Sequence, residues 1–369
     1  MPAAICPNSP SQSPGHSGNP RKRRLSPLRK HVDLNSLVKP VYMEMKTEAQ
    51  SESALPKSVQ DLSARLEEIS EFSTAILPLA AKGALQDMGQ QQWPEHSFGF
   101  STEEEDEVSI RATLQELQRI TTSTSICIQE DASEAGWNQD VHGPLLRLAT
   151  QPFANVRGIN ITQATIHPHW LPPIKAGAWA VPPVSSSSAT SSATSSAASS
   201  QQSSPLFLQQ PGSGFVAQEK MVDMALILSP GDETPLGNGI RNAVTSMLSS
   251  GEKTVNHSEY GPLVYNPLGV NIKTKSYMSA GDGRIQVALW TAAWFNRLET
   301  WVSLASAIHG TRELSMLEAV PVLLVEGAEW RLSFFCNRGS SFSLMNRGAT
   351  KNEHHPDRDL NPLHEEGQD

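Results

Sequence analysis

A long tract of small polar residues limits what this 369-residue chain can fold into. Residues 185–204 contain twelve Ser, four Ala, two Thr and two Gln, and they include no large apolar side chain. Such a tract cannot bury enough apolar surface to offset the entropy lost on ordering, so it predicts a flexible insertion. We therefore place a disordered, Ser-rich insertion at 180–215 and expect the ordered structure on either side of it.

Both ends of the chain are also polar. Only 38% of all residues are apolar, below the roughly 45–50% that is usual for globular proteins. Residues 1–54 are rich in Pro, Ser and charged groups, and residues 337–369 show no periodic pattern. The composition predicts disordered tails at 1–54 and 337–369 and one folded domain at 55–336.

Charge is distributed unevenly along the chain. Residues 1–31 contain six basic groups and no acidic group, and the remaining residues carry 23 basic groups against 38 acidic ones. The run RKRRLSPLRK at 21–30 is typical of a nuclear-import signal or a nucleic-acid-binding arm, although ordinary basic tails also contain such runs. The acidic remainder disfavours nucleic acid as a partner, because that affinity comes mainly from Lys and Arg.

The cysteine content and the hydropathy of the chain indicate in which cellular compartment the protein lies. The three cysteines are widely spaced and include no C-x-x-C pair, which predicts neither a disulfide framework nor a zinc site. No apolar run approaches the ~18–20 residues of a membrane helix, and the first residues lack the order of a signal peptide. We expect a protein of the nucleus or cytoplasm that makes no membrane contact, and its protein partner is not predicted.

Apolar periodicity along the chain predicts an α/β protein. A stripe of Val59, Leu62, Leu66, Ile69 and Ile76 predicts a first buried helix. The other predicted elements are helices that start at Thr102 and Ser133, a long helix at 282–303, strands at 156–166, 219–228 and 268–277, and a hairpin at 319–336. Gly143-Pro144 predicts a kink in the helix at 133–149.

Charged residues lie on two of these strands. Asp223 alternates with Val222 and Met224, and Lys273 and Lys275 share one face of the strand at 268–277. Without further information, two lysines on one face favour an ordinary solvated side of an amphipathic strand.

Five segments follow one another in the order SEAGWNQDVHGPLLRLA, KMVDMALIL, VNIKTK, GRIQVALWTAAW and PVLLVEGAEWRL. In this order and spacing they resemble the fungal PD-(D/E)XK nuclease-like domain of the restriction-endonuclease-like superfamily. The resemblance covers residues 55–336 and implies an αβββαβ core, in which a mixed sheet is flanked by helices. Related chains usually continue into a closing helix, whereas the segment after Cys336 shows no helical pattern.

The resemblance also implies a site. In such a site a strand Asp and the Glu of E-x-K hold a divalent metal, usually Mg²⁺, and the Lys acts on the attacking water. By position, Asp223 is the strand carboxylate, Lys275 is the motif lysine, and Gln286 is the polar residue that often opens the next helix. Glu134 resembles the additional acidic residue near the metal. The implied catalytic residues are thus Asp223, Lys275 and Gln286, and the implied metal ligands are Asp223 and Glu134.

Two polar residues accompany Glu134 on its helix. Asn138 and His142 follow at intervals of four residues and so share its helix face. Such a trio could form an acid–base or metal cluster, but we predict that Asn138 and His142 make capping or core hydrogen bonds.

One position departs from the family pattern. Where the family usually reads I-E-T-K, residues 272–275 read I-K-T-K, so that Lys273 replaces a carboxylate by an ammonium group. The reversed charge opposes the binding of a divalent cation. A divalent cation could bind at Asp223 only if the Lys273 side chain turned away and Glu134 or Glu219 supplied a second carboxylate.

Two functions follow from these residues. The first is a degenerate PD-(D/E)XK nuclease-like protein that has little or no catalysis and serves a binding or accessory role, for example in a pathway encoded by a fungal biosynthetic gene cluster. Such a protein needs no cofactor. The alternative is an active Mg²⁺-dependent nuclease that hydrolyses phosphodiester bonds in DNA or RNA. Lys273 and the acidic body favour the first.

Overall fold

The computed structural model describes residues 31–45, 55–89, 93–99, 107–175, 222–248, 252–279, 282–309 and 315–346. The predicted serine-rich insertion, the basic run and the residues after 346 lie outside this part of the chain. The described helices are His31–Leu34 (α1), Lys57–Phe72 (α2), Ala81–Asp87 (α3), Glu107–Gln129 (α4), Glu134–Trp137 (α5), Gly143–Thr150 (α6), Pro235–Ser246 (α7) and Gly283–His309 (α8). The described strands are Val41–Met45 (β1), Leu77–Pro78 (β2), Phe98–Gly99 (β3), Val156–Asn160 (β4), Met224–Leu228 (β5), Leu268–Lys275 (β6), Ala319–Glu326 (β7), Glu329–Asn337 (β8) and Phe342–Asn346 (β9).

Seven of these strands form one mixed sheet in the order β1-β9-β8-β7-β6-β5-β4. β6 runs parallel to β7 and β1 runs parallel to β9, while the other neighbours are antiparallel. A parallel pair needs a crossover connection, and the long helix α8 joins β6 to β7. β2 and β3 form a separate two-stranded sheet.

Different helices cover the two faces of the sheet. On one face, Ile272 of β6 lies in an apolar cluster with Leu146 of α6. On the other face, the side-chain amide of Asn271 donates to Thr291 of α8 at 3.1 Å. The order α6-β4-β5-β6-α8-β7 is the αβββαβ core that the resemblance implied, so the predicted α/β fold class is confirmed.

The sheet extends beyond the domain limits that composition predicted. β1 lies within residues 1–54 and β9 within 337–369, and the two strands pair with each other. Phe342 of β9 is buried against Phe295 of α8 and Phe335 of β8. Each strand has only five residues in a polar stretch, and its burial depends on partners far away in sequence. The folded part therefore includes both strands.

For two of the predicted helices, the structure differs from the prediction or does not describe the predicted start. α2 ends before Ile76, and of its predicted stripe Val59 is buried whereas Leu62 and Ile69 are 42% and 39% exposed. Periodicity shows which residues share a helix face, but it does not show whether another element covers that face. The helix start predicted at Thr102 lies outside the described residues. In the part of the chain that the structure describes, no helix combines the length and the apolar character that a membrane crossing requires.

A buried arginine holds the segment that precedes β6. Arg297 of α8 is fully buried, pairs with Glu252 and donates to the carbonyl of Thr254 at 2.6 Å. Its guanidinium carbon lies 4.5 Å from the ring centroid of Trp170 and 4.4 Å from that of Trp301. These contacts fasten α8 to the chain between α7 and β6, and so help to position β6.

Candidate functional site

Asp223 is the residue immediately before β5, and both its backbone and its side chain are fixed. Its N–H donates to the carbonyl of Ile272 (3.2 Å), and its own carbonyl accepts from the N–H of Ile161 (2.8 Å). Its carboxylate Oδ2 accepts from the backbone N–H of Thr274 at 2.9 Å. These bonds hold the carboxylate against β6.

Lys273 and Lys275 lie together on the face of β6 that α8 covers. Gly283, at the start of α8, lies close to both side chains. A Cβ atom at this position would be 3.0 Å from Cγ of Lys273 and 3.8 Å from Cγ of Lys275. The absence of a side chain at Gly283 therefore lets the helix approach the stems of both lysines closely.

Glu134 reaches the site from the first turn of α5. Ser133 caps this helix, since its hydroxyl accepts from the N–H of Gly136 at 3.2 Å. Asn138–His142 then form a π-helical turn, and α6 begins immediately afterwards. Pro144 in the first turn of α6 has no N–H to donate, which favours irregular backbone just before it. The kink that the sequence predicted is therefore a π turn.

A buried histidine connects this π turn to the hairpin between β7 and β8. Nε2 of His142 lies 2.8 Å from the carbonyl oxygen of Gly327, and Nδ1 lies 3.0 Å from Oδ1 of Asn138. Burial lowers the pKa of His142, because the imidazolium would lose its hydration there. Asn138 and His142 thus form the core hydrogen bonds that the sequence predicted.

Four charged side chains meet between these elements, and we call Glu134, Asp223, Lys273 and Lys275 the ion cluster. Nζ of Lys273 donates to Oδ2 of Asp223 at 2.5 Å and to Oε1 of Glu134 at 2.9 Å. Nζ of Lys275 lies 3.5 Å from Oε2 of Glu134. The side chains of Lys273 and Asp223 are only 4% and 6% exposed, whereas Glu134 and Lys275 are partly open to solvent. The two positive and two negative groups cancel in formal charge.

A cleft of about 480 Å³ lies between α5, the π turn, α6, β4 and β5, and its lining does not include the four residues of the ion cluster. Its lining includes Ala135 and Met224, which follow Glu134 and Asp223 directly in the chain. Arg147 adds a positive charge to the lining. Periodicity gives no signal for this cleft, because its residues come from α5, the π turn, α6, β4 and β5 and meet only after the sheet has formed.

A family model of the PD-(D/E)XK nuclease superfamily matches residues 84–354. The match covers more than half of the chain and contains the αβββαβ core and the whole ion cluster. The chain belongs to the PD-(D/E)XK nuclease superfamily. No curated protein and no solved structure matches the chain. The strand β1, at one edge of the sheet, precedes the matched segment.

PD-(D/E)XK nucleases typically use a divalent metal, but the residues of this site do not fit one. In the described ranges, no group of three or more His, Cys, Asp or Glu side chains is arranged to hold a metal ion. Both carboxylates of the ion cluster already accept from Lys273, so a metal would have to displace that ammonium group from both. Glu219, the other carboxylate that the sequence offered, lies outside the described residues.

Gln286 is the remaining implied catalytic residue. It lies in the first turns of α8, three residues after Gly283. Its Oε1 is buried and has no hydrogen-bond partner among the residues that the structure describes. The structure therefore brings Asp223, Glu134 and Lys275 together with Lys273, and Gln286 Oε1 accepts no hydrogen bond from the described residues.

Proposed function

We propose that this PD-(D/E)XK protein has little or no metal-dependent catalysis and serves a binding or accessory role. The observation that supports the proposal is the position of Lys273, whose ammonium group contacts both carboxylates that would otherwise face a metal. A metal-dependent nuclease relies on its metal to activate water and to stabilise the charge that develops on the phosphodiester. With Lys273 between the carboxylates, the site lacks that contribution.

Electrostatics makes simultaneous occupancy by a metal unfavourable. At an effective dielectric constant of ~20 and a separation of ~4 Å, a divalent cation and an ammonium group repel each other by roughly 8 kcal/mol before screening. Moving Lys273 away would relieve this repulsion, but it would break two hydrogen bonds of a side chain that is 4% exposed. Separating a buried ion pair in this way is itself strongly destabilising.

A cleft elsewhere in the core also suits binding rather than hydrolysis. The cleft between α5, α6, β4 and β5 presents side-chain amides and the guanidinium of Arg147 to a ligand. The acidic chain beyond residue 31 disfavours long nucleic acids, and the basic run at 21–30 suits nuclear import. The resemblance to fungal members suits an accessory role in a fungal nucleus or cytoplasm, including one beside a biosynthetic gene cluster.

A second candidate is an active Mg²⁺-dependent nuclease that acts on DNA or RNA. The observation that favours it is that Asp223, Glu134 and Lys275 lie within one cluster. If the Lys273 side chain rotated outward, two carboxylates and one lysine would face the same space.

A nuclease assay on the full chain separates the two candidates. Wild-type protein is incubated with single- and double-stranded DNA and RNA in Mg²⁺ or Mn²⁺, with EDTA as the blank. We expect no cleavage above the blank. Metal-dependent cleavage that disappears in Asp223→Ala, but persists in the control Asp232→Ala at an exposed residue before α7, would overturn the proposal.

A further inference from the structure

We propose that Lys273 is an internal cation that performs the structural task of a metal ion, and that removing its charge creates a site for a divalent cation. The inference rests on the proposed function, since it assumes that the wild-type site binds no metal. Its basis is that one ammonium group contacts carboxylates from two different elements. Asp223 belongs to the chain that enters β5, and Glu134 belongs to α5.

The ammonium nitrogen lies at the point where a bridging cation would be needed. Asp223 Oδ2 at 2.5 Å and Glu134 Oε1 at 2.9 Å contact the same nitrogen, so the two oxygens are close to each other. Two carboxylates at such a distance in a mostly buried site repel each other unless a positive charge lies between them. Lys273 thus links α5 to the centre of the sheet through two ion pairs, and a metal ion bound by both carboxylates would form the same link.

Each carboxylate keeps another partner when Lys273 is lost. Asp223 still accepts from the N–H of Thr274 at 2.9 Å, and Glu134 still faces Lys275 at 3.5 Å. The site therefore stays organised but acquires one net negative charge. Mg²⁺ and Mn²⁺ bind to one or two carboxylates and keep several water ligands, which matches this pair. Glu134 and Lys275 are 28% and 20% exposed, so a hydrated ion can reach the site from that side.

The test is the thermal unfolding of Lys273→Met, which keeps an apolar stem of similar length and removes the charge. In EDTA we expect its Tm to lie roughly 5–15 °C below that of the wild type, because an ion bridge is lost. Mn²⁺ at about one hundred times its Kd should raise the Tm of Lys273→Met by roughly 5 °C or more. The wild-type Tm should not respond to Mn²⁺.

Two control variants make the test specific. Lys253→Met, at an exposed lysine, should match the wild type in EDTA and in Mn²⁺. The double variant Lys273→Met/Asp223→Asn should lose the response to Mn²⁺. If Lys273→Met is unfolded in EDTA, recovery of its native circular dichroism on addition of Mn²⁺ supports the proposal.

The two proposals fail in different ways. If Mn²⁺ neither raises the Tm of folded Lys273→Met nor restores the native circular dichroism of the unfolded variant, the internal-cation proposal is overturned. The proposed function would still stand. Tight Mn²⁺ binding by the wild type would instead overturn the proposed function.

Discussion

Acid should destabilise this protein through His257, which lies in the chain that precedes β6. His257 is fully buried, and within the described residues neither of its ring nitrogens has a hydrogen-bond partner. Its ring packs edge-on against Trp290, with 4.3 Å between the ring centroids. Burial lowers the pKa of His257 from 6.5 to about 3, because the imidazolium would lose its hydration there.

Proton uptake by the unfolded chain sets the direction of the effect. Well above pH 6.5 the ring is neutral in both states, and the stability is unaffected. Below pH 6.5 the unfolded chain binds a proton that the folded chain does not, so the free energy of unfolding falls until the folded ring titrates near pH 3. Each pH unit corresponds to ~1.4 kcal/mol, so the loss is about 2 kcal/mol at pH 5 and about 4 kcal/mol at pH 3, where the folded ring is half protonated.

Urea unfolding at pH 7.5 and pH 5 measures this contribution. His257→Phe keeps an aromatic ring of similar shape and cannot titrate, so it should lose about 2 kcal/mol less than the wild type between the two pH values. His96→Gln, at an exposed histidine, should behave like the wild type. Equal losses in wild type and His257→Phe would refute the reasoning.

Three further substitutions test the site and the sheet. Lys273→Glu changes the ion cluster from neutral to two net negative charges, and should create Mg²⁺ affinity in calorimetry together with metal-dependent nuclease activity; a folded variant without affinity would contradict this. Phe342→Ala should lower the free energy of unfolding in urea by about 3–5 kcal/mol, and a loss below about 1 kcal/mol would show that β9 adds little to the core. Arg297→Lys should destabilise by about 1–3 kcal/mol, because lysine cannot reproduce the stacked guanidinium, whereas the exposed Arg331→Lys should change stability by less than about 0.5 kcal/mol.

The centre of the sheet could be predicted because its signals are local. β5 and β6 follow the predicted alternation, and α8 follows the predicted helix at 282–303. The hairpin turns at Gly327, where φ is +55°, a value that favours glycine. β1 and β9 gave no such signal, because five-residue strands in polar segments are defined by partners that are distant in sequence.

The sequence pointed to the residues that meet in the ion cluster, but it did not predict the contacts between them. The resemblance pointed to Asp223, Glu134 and Lys275, and alternation placed Lys273 beside Lys275. The bridge from Lys273 to Glu134 depends on where the π turn and the bond from His142 to Gly327 hold α5. Sequence spacing does not determine that position, because it results from packing between a helix and a hairpin that are far apart in the chain.

Isothermal titration of Mg²⁺ into the wild-type protein tests the central claim most directly. Because Lys273 occupies both carboxylates, we predict no binding at micromolar or low millimolar Mg²⁺, and measurable binding by Lys273→Glu under the same conditions. Micromolar affinity in the wild type that is lost in Asp223→Ala would contradict the claim, since it would show that a metal ion displaces Lys273 from the ion cluster.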